Sequence, residues 1–287
     1  MYTTAIAFSF AATFFFGLGL VLTQFGLRHV SPLSGAAISI PTFTVAFACA
    51  SPLLLPGQTI VWSAVPIFAA VGLAFPAVAT LLTFAGNRAL GPVVTSSLGN
   101  LSPLFAVALA VVLLHEPLRP LQFLGLVVIV IGVLVISVRR TGTRDWRTWA
   151  LLLPLGAAVL RGVVPPVIKI GLDVWPNPMA AGLTGYIFSS LTVMTVEKIR
   201  NGSVIAKAPR AGRLWFMGIG LCNGVATMLL YAAIGSGPVS LVAPLIATYP
   251  LVTVVLSIIV FRNLENGLRL ASGTVLTVAG VILILVG

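Results

Sequence analysis

The sequence predicts an all-α membrane protein in which ten transmembrane helices form two inverted five-helix repeats around a central cavity. Three observations support this fold class. The composition is strongly apolar, the apolar runs have the length of membrane spans, and a pair of motifs recurs about half a chain later. The two repeats are expected to build one integrated transmembrane domain.

The composition places the chain in a lipid bilayer. Of its 287 residues, 59% are hydrophobic and 7% are charged, and the mean hydropathy is +1.15. A soluble domain carries roughly a quarter of its residues as charged side chains, so an integral membrane protein is expected. The apolar runs are about 20 residues long, the length of a helix that crosses the hydrocarbon core. Helices are predicted because the alternating segments of a transmembrane barrel are absent.

Ten spans are expected in chain order, and a basic segment divides them into two groups of five. The first repeat covers residues 1–140 and the second covers residues 147–287. The spans cover about residues 4–27, 32–55, 63–85, 93–114, 121–138, 149–172, 179–196, 214–233, 239–261 and 268–286.

A recurring motif marks the duplication. Gly91-Pro92-Val93 opens the fourth span, and Gly237-Pro238-Val239 opens the ninth span 146 residues later. A repeat of this length is a duplicated multi-helix unit. Since each half holds an odd number of spans, the second copy must be inverted in the membrane, as in many transporters. Further matching residues are Pro103 and Pro250, Gly125 and Gly273, Gly132 and Gly280, Gly17 and Gly162, and Gly26 and Gly171.

The net charge of +11 comes mainly from arginines and lysines in the loops between spans. Thirteen of the sixteen basic residues fall on one side of the predicted bundle, whereas Arg119 and Lys169 fall on the other. By the positive-inside rule the first side is cytoplasmic, so both termini are expected to be extracytoplasmic, in a bacterial inner membrane. Such dispersed bases suit anionic lipid headgroups, and no nucleic-acid partner is expected.

Two prolines are predicted hinge residues. Pro103 and Pro250 lie in the middle of the fourth and ninth spans, at corresponding positions of the repeat. Proline frees a backbone carbonyl, which a helix that lines a cavity tolerates better than a helix that faces lipid. Interrupted helices at matching places indicate a central site. The alternative is that membrane helices simply contain more proline than soluble ones.

Polar and aromatic residues within the spans are the candidates for substrate binding. They are Thr80, Thr83, Ser96, Asn100, Arg161, Tyr186, Asn223, Tyr231 and Tyr249. For any one of them, hydrogen bonding between packed helices is the alternative. Arg161 stands out, because a cation within a span costs at least ~2.5 kcal/mol and marks a pathway or a paired site. Snorkelling or a structural partner is the alternative for Arg161, and Phe14, Phe15 and Phe16 are expected to face lipid.

The acidic residues argue against several functions. Glu116, Asp145, Asp173, Glu197 and Glu265 all lie at span ends or in loops. A proton-coupled exporter of cations needs a carboxylate near the membrane centre, so lipophilic cations are poor substrate candidates. No group of residues has the spacing of metal ligands. Neither an enzyme signature nor a cofactor is expected.

The ten helices, the two mid-span prolines, the corner Glu116 and the Gly-x6-Gly pairs together resemble the EamA-type proteins of the drug/metabolite transporter superfamily. Within it, the chain looks most similar to the YddG-like bacterial exporters of aromatic amino acids. The second half departs from the pattern, since Glu265 is displaced and Asn263 stands near the expected acid. The resemblance implies a cavity lined by spans three, four, eight and nine, with spans five and ten more peripheral.

These observations predict a secondary transporter that exports small neutral or zwitterionic metabolites, represented by aromatic or hydrophobic amino acids, by alternating access. Arg161 would meet the substrate carboxylate. One alternative is a transporter of phosphorylated or nucleotide-linked metabolites, which would need a second buried base. The other is a membrane protein without a transport function. The expected partners are a small-molecule substrate and lipid, with a monomer as the working expectation.

Overall fold

A computed structural model describes residues 2–55, 59–90, 95, 98–137, 148–204, 206–261 and 267–287. In these residues the regular secondary structure is entirely helical, as predicted. The α-helices are α1 (Thr3–Gly26), α2 (Pro32–Leu54), α3 (Val65–Gly72), α4 (Ala79–Leu90), α5 (Ser102–Leu114), α6 (Pro120–Ser137), α7 (Leu152–Val174), α8 (Pro178–Asn201), α9 (Arg210–Ser236), α10 (Val239–Ile246), α11 (Tyr249–Phe261) and α12 (Gly267–Val286).

Seven helical stretches of the described chain are long and apolar enough to cross a membrane. They are Thr3–Gly26, Pro32–Leu53, Val65–Thr83, Trp149–Val174, Pro178–Asn201, Arg210–Ser236 and Val239–Val260. Three shorter apolar helices are Ser102–Leu114, Pro120–Val135 and Ala271–Val286. The chain is therefore a multi-pass membrane protein. The count of ten spans stays a prediction, since residues 91–94 and 96–97 of the fourth span lie outside the described residues.

Two helices begin with the same capping arrangement. The Ser31 side chain accepts a hydrogen bond from the Ser34 N–H at the start of α2, and Pro32 follows the cap. The Asn177 side chain accepts one from the Ala180 N–H at the start of α8, again with proline next in the chain. A side-chain oxygen at this position satisfies an N–H that has no partner within the helix.

Three of the predicted spans are interrupted at proline. A π-helical segment, Leu73–Val78, joins α3 to α4, and inside it Phe75 has non-helical backbone angles before Pro76. Pro103 and Pro250 are the second residues of α5 and α11. At this position a missing N–H leaves no intrahelical hydrogen bond unmade. The mid-span prolines thus start the second segment of a broken span.

Glycine allows the closest helix contacts. A Cβ on Gly72 of α3 would lie 2.8 Å from the carbonyl carbon of Gly185 in α8. A Cβ on Gly220 of α9 would lie 2.8 Å from the carbonyl carbon of Ser39 in α2. Both contacts involve backbone atoms, so any side chain at either glycine would push the two helices apart. Gly220 follows Gly72 by 148 residues, and Gly185 follows Ser39 by 146.

Further glycine contacts repeat across the two halves in the same way. A Cβ on Gly26 would lie 2.9 Å from the Phe216 ring, and a Cβ on Gly171 would lie 2.6 Å from the Phe68 ring. Similar pairs of contacts join Gly17 to Tyr249 and Gly162 to Ser102, and join Gly125 to Gly280 and Gly132 to Gly273. In each pair, the two residues of the second contact are the repeat equivalents of the two residues of the first contact.

The two ends of the bundle differ in packing. The Glu116 end contains the starts of α1, α8 and α10 and the ends of α5, α7 and α9, and it holds most of the largest buried apolar cluster. Members of this cluster include Ala5, Phe68, Ile168, Trp175, Ile234, Val239 and Val242. The Pro32 end contains the end of α1 and the starts of α2 and α9, where Val30, Phe216 and Ile219 form a smaller cluster.

Candidate functional site

A cavity of about 380 Å³ lies in the middle of the bundle and extends toward the Pro32 end. Its lining runs from Ala106, Leu230 and Ala243 at mid-bundle to Thr23 and Pro32 near the helix ends. The volume falls within the range of small-molecule sites. At the Glu116 end the large apolar cluster fills the space between the helices. The cavity is therefore blocked at one end and reaches the other.

Most of the predicted site residues line this cavity. They are Thr80, Asn100, Pro103, Arg161, Tyr186, Asn223 and Tyr249. Thr83 lies next to the cavity and contacts Arg161. Tyr231 is 3% exposed and lies behind the cavity wall, close to Gly185 and Phe68. Pro250 is buried beside Tyr249, and Ser96 lies outside the described residues.

Arg161 of α7 is half-buried and directs its guanidinium group to the cavity wall. Its Nη2 donates a hydrogen bond of 3.0 Å to the Thr83 hydroxyl oxygen. Its Nη1 lies 3.3 Å from the position that a Cβ on Gly99 would take, so the absence of a side chain there makes room for the cation. The described lining residues include no aspartate or glutamate. The cavity therefore offers a cation with hydrogen-bonding capacity left for an anionic group.

An aromatic wall lies on the α1 and α11 side of the cavity. The Phe16 and Tyr249 rings are tilted at 57° with centroids 6.4 Å apart, and both residues line the cavity together with Phe75 and Phe216. The prediction that Phe16 faces lipid is wrong, whereas Phe14 is 46% exposed on the bundle surface. Phe16 stands 145 residues before Arg161, the offset that relates Gly17 to Gly162.

A buried hydrogen-bond chain supports the wall between these two sides. The Tyr186 hydroxyl donates to the Thr227 hydroxyl at 3.2 Å, and the Thr227 hydroxyl donates to the Asn223 carbonyl at 2.8 Å. Phe43 packs edge-on against the Tyr186 ring with centroids 4.8 Å apart. Tyr186 is therefore fixed in the wall with little freedom to move.

Sequence reasoning missed part of the lining. Besides the predicted Arg161 and Tyr186 of spans six and seven, spans one, two and five contribute to the lining. The fifth span, which the resemblance implies to be peripheral, supplies Ile129, Val130 and Val133. Among the described residues none from α12 lines the cavity. The repeat offset from Arg161 would have identified Phe16. No sequence signal distinguishes Ile129 from its lipid-facing neighbours, because that helix is apolar on all sides.

Comparison with known proteins identifies the family. The EamA-like transporter family matches this chain twice, over residues 3–138 and 148–286. An uncharacterized transporter of Archaeoglobus fulgidus is 25% identical over 123 residues, which are 43% of this chain and 44% of that protein. The alignment thus spans less than half the length of that curated relative.

A solved crystal structure shares the fold. It matches 100% of this chain and 99% of its own chain with a TM-score of 0.84, at 17% sequence identity. The resemblance to EamA-type proteins is thus confirmed by the family match, and the fold agrees with it. Because the two family matches cover nearly the whole sequence, this chain belongs to the EamA-like transporter family of membrane transporters.

Proposed function

We propose that this transporter exports small zwitterionic or neutral metabolites with a hydrophobic body, represented by aromatic amino acids, by alternating access. The observation that carries the proposal is the chemistry at two positions 145 residues apart, where Arg161 and Phe16 both line the cavity. One wall thus presents a cation and the other presents aromatic rings. A ligand with a carboxylate at one end and an apolar ring at the other matches both walls.

The contacts of Arg161 support a carboxylate partner. A planar guanidinium group binds a carboxylate through two parallel hydrogen bonds, and such charge-assisted bonds are about twice as strong as neutral ones. Thr83 occupies one nitrogen, and the polar side chains of Thr80 and Asn100 line the same cavity. Phosphorylated metabolites fit less well, because Arg161 is the single cation among the described lining residues.

The aromatic wall supports an apolar or aromatic ligand body. Aromatic pairs in offset or edge-to-face arrangements gain about 0.5–1.5 kcal/mol beyond the burial of their area. Phe16 and Tyr249 are tilted against each other, so part of each ring surface remains directed into the cavity. Apolar side chains from α6 extend this surface. A flat or branched hydrocarbon body would therefore be favoured over a polar one.

The paired glycine contacts support the inverted repeat. If residues 1–140 and 147–287 are related by a two-fold axis in the membrane plane, each contact between the halves must occur twice with the partners exchanged. Gly72 with Gly185 and Gly220 with Ser39 satisfy this requirement, as do Gly26 with Phe216 and Gly171 with Phe68. A residue on the axis must contact its own repeat equivalent. Thr44 and Ser190 do so, with hydroxyl oxygens 2.6 Å apart at an offset of 146 residues.

A two-fold arrangement also supplies the mechanism. A bundle of two equivalent halves has two equivalent packings, one open at each end. Switching between them opens the central cavity to one side of the membrane and then to the other. The observed packing is closed at the Glu116 end. With the basic loops in the cytoplasm, this packing is the inward-facing one. Pro103 and Pro250, at the starts of α5 and α11, are the proposed hinges.

The proposal is tested by flux through purified protein. Proteoliposomes containing the full chain should take up radiolabelled L-phenylalanine faster than empty liposomes, and R161M should remove the difference. L-Leucine, L-lysine and a sugar phosphate should be compared in the same assay. Ligand-dependent thermal stabilisation provides a second readout, since a ligand that prefers the folded state raises apparent stability. Absence of flux and of stabilisation for every amino acid tested would exclude the proposed substrate class.

A further inference from the structure

A group of charged contacts lies outside the cavity, at the Glu116 end. Glu116 follows the turn that ends α5, and its two carboxylate oxygens accept hydrogen bonds from the N–H groups of Val239 (2.7 Å) and Ser240 (2.8 Å). These are the first two N–H groups of α10, whose capping residue, Pro238, provides no side-chain hydrogen bond. Terminal N–H groups need an acceptor from outside the helix, and a carboxylate there also complements the helix dipole.

Lys169 of α7 contacts the other side of the same connection. Its Nζ donates hydrogen bonds to the carbonyl oxygens of Ile234 (3.0 Å) and Gly237 (3.3 Å), at the C-terminal end of α9. A cation complements the carbonyl end of a helix as an anion complements its N–H end. The Lys169 cation therefore contacts the C-terminal end of α9, and the Glu116 carboxylate contacts the N-terminal end of α10.

This connection, residues 236–240, forms a hairpin tip inside the closed end. Gly237 is buried, and a Cβ on it would lie 2.6 Å from the Ala5 Cβ in α1. Val239 and Val242 belong with Ala5 to the apolar cluster that blocks the cavity at this end. Displacing the hairpin tip would open that cluster. We infer that Glu116 and Lys169 are positioning residues that latch the hairpin tip and keep the Glu116 end closed.

In the sequence, the residues nearest the repeat positions of Glu116 and Lys169 are the uncharged Asn263 and Gln24, and Glu265 stands two residues after Asn263. Asn263 lies outside the described residues, and Gln24 is exposed. The observed packing therefore has a charged latch at its closed end. This inference rests on the proposed alternating access. The latch stabilises the packing that is open at the Pro32 end and so favours it over the other packing.

The latch is tested by cysteine labelling of the full chain in nanodiscs, in a background that carries C49S and C222A. V242C reports opening of the Glu116 end, because Val242 is fully buried there. T23C reports the Pro32 end, because Thr23 lines that part of the cavity. E116Q and K169Q should each raise the labelling rate of V242C by a water-soluble maleimide about tenfold, the effect of roughly 1.4 kcal/mol, and should lower that of T23C.

R119Q is the matched control. Arg119 lies at the same end and carries the same charge as Lys169, but it donates to the Gly287 carbonyl oxygen (2.6 Å) and not to the hairpin tip. R119Q should leave both labelling rates unchanged. A158C reports general loosening, since Ala158 is fully buried in α7, and its labelling should stay slow in every variant.

The outcomes separate the latch from the proposed function. A rise at V242C, T23C and A158C together would mean that the variants loosen the bundle, and it would overturn the latch. Unchanged labelling in E116Q and K169Q, with L-phenylalanine uptake intact, would overturn the latch and leave the proposed function standing. If wild-type protein shows no uptake and saturating L-phenylalanine changes neither reporter, the proposed function fails. An opposite change at the two reporters in E116Q and K169Q would still support the latch in that case.

Discussion

Two kinds of equivalent position in the two halves can be compared: glycines at close helix contacts, and residues of the cavity wall. Gly72 and Gly220 occupy the same repeat position, and each allows a backbone contact that a side chain would prevent. At another repeat position the first half has Phe16 and the second half has Arg161, and both residues line the cavity. The paired glycines that allow close helix contacts are thus the same in both halves, whereas Phe16 and Arg161, at equivalent positions of the cavity wall, differ.

Under the proposed function, a symmetric scaffold would bind an asymmetric ligand. Two identical walls would suit a ligand with two identical ends. An arginine on one wall and an aromatic ring on the other suit a ligand that has a charged end and an apolar end. The proposed latch has a similar effect on conformation, because the contacts of Glu116 and Lys169 stabilise one end of the bundle. The differences between the halves are therefore where function is expected.

Changes at the shared glycines should have the largest effect. G72A and G220A place a Cβ against the backbone of the facing helix, so the helices must separate. Overpacking of this kind costs about 1–3 kcal/mol, and we expect both variants to lose folded protein in thermal unfolding assays.

G218A is the matched control on α9, because a Cβ on Gly218 meets no atom within 4 Å. This variant should be neutral or slightly stabilising, since alanine is the better helix former by about 1 kcal/mol. Similar stability of G218A and G220A would contradict the packing role of the shared glycines. A large effect in G220A alone would contradict the equivalence of the two halves.

Arg161 should have the next largest effect, on ligand binding and not on folding. Removing one partner of a buried charge pair costs about 2–5 kcal/mol in binding. R161M should therefore weaken L-phenylalanine binding by a factor of about 30 or more, and R161K should retain part of the affinity because it keeps the charge but not the planar fork. Binding is measured by ligand-dependent thermal shift. Equal losses in R161K and R161M would indicate that the guanidinium geometry, and not its charge alone, holds the ligand.

The aromatic wall should contribute less. F16L keeps an apolar side chain but removes the ring, so it should weaken L-phenylalanine binding by roughly 1 kcal/mol, about fivefold, and leave L-leucine binding nearly unchanged. Competition between the two amino acids in proteoliposome uptake measures the ratio directly. F14L is the control, since Phe14 faces outward from the bundle. An equal loss for both amino acids would argue against direct contact between Phe16 and the ligand ring.

The sequence was sufficient for the scaffold but only partly for the cavity. Helical spans, broken helices and a duplicated motif follow from periodicity and composition, and Arg161 is conspicuous because a cation inside a span is costly. Phe16 lines the cavity although the sequence predicts that it faces lipid, and Tyr231 lies behind the cavity wall. The rotation of a helix about its own axis decides which residues face the cavity, and interruptions such as Phe75-Pro76 reset that rotation by an amount that no sequence pattern gives.

The smallest expected effect concerns the contact between equivalent residues. Thr44 and Ser190 share a hydrogen bond of 2.6 Å, and the Thr44 hydroxyl also lies within reach of the Ile40 and Tyr186 carbonyl oxygens. Interhelical hydrogen bonds in membrane proteins average about 0.6 kcal/mol. A double-mutant cycle of T44V and S190A, measured by thermal or detergent unfolding, should give a coupling energy of about that size. Because Thr44 retains two carbonyl partners in S190A, T44V should cost more than S190A.

No coupling would mean that this contact does not join the halves. A coupling well above 1 kcal/mol would make it a principal connection between them, held in both packings of the bundle.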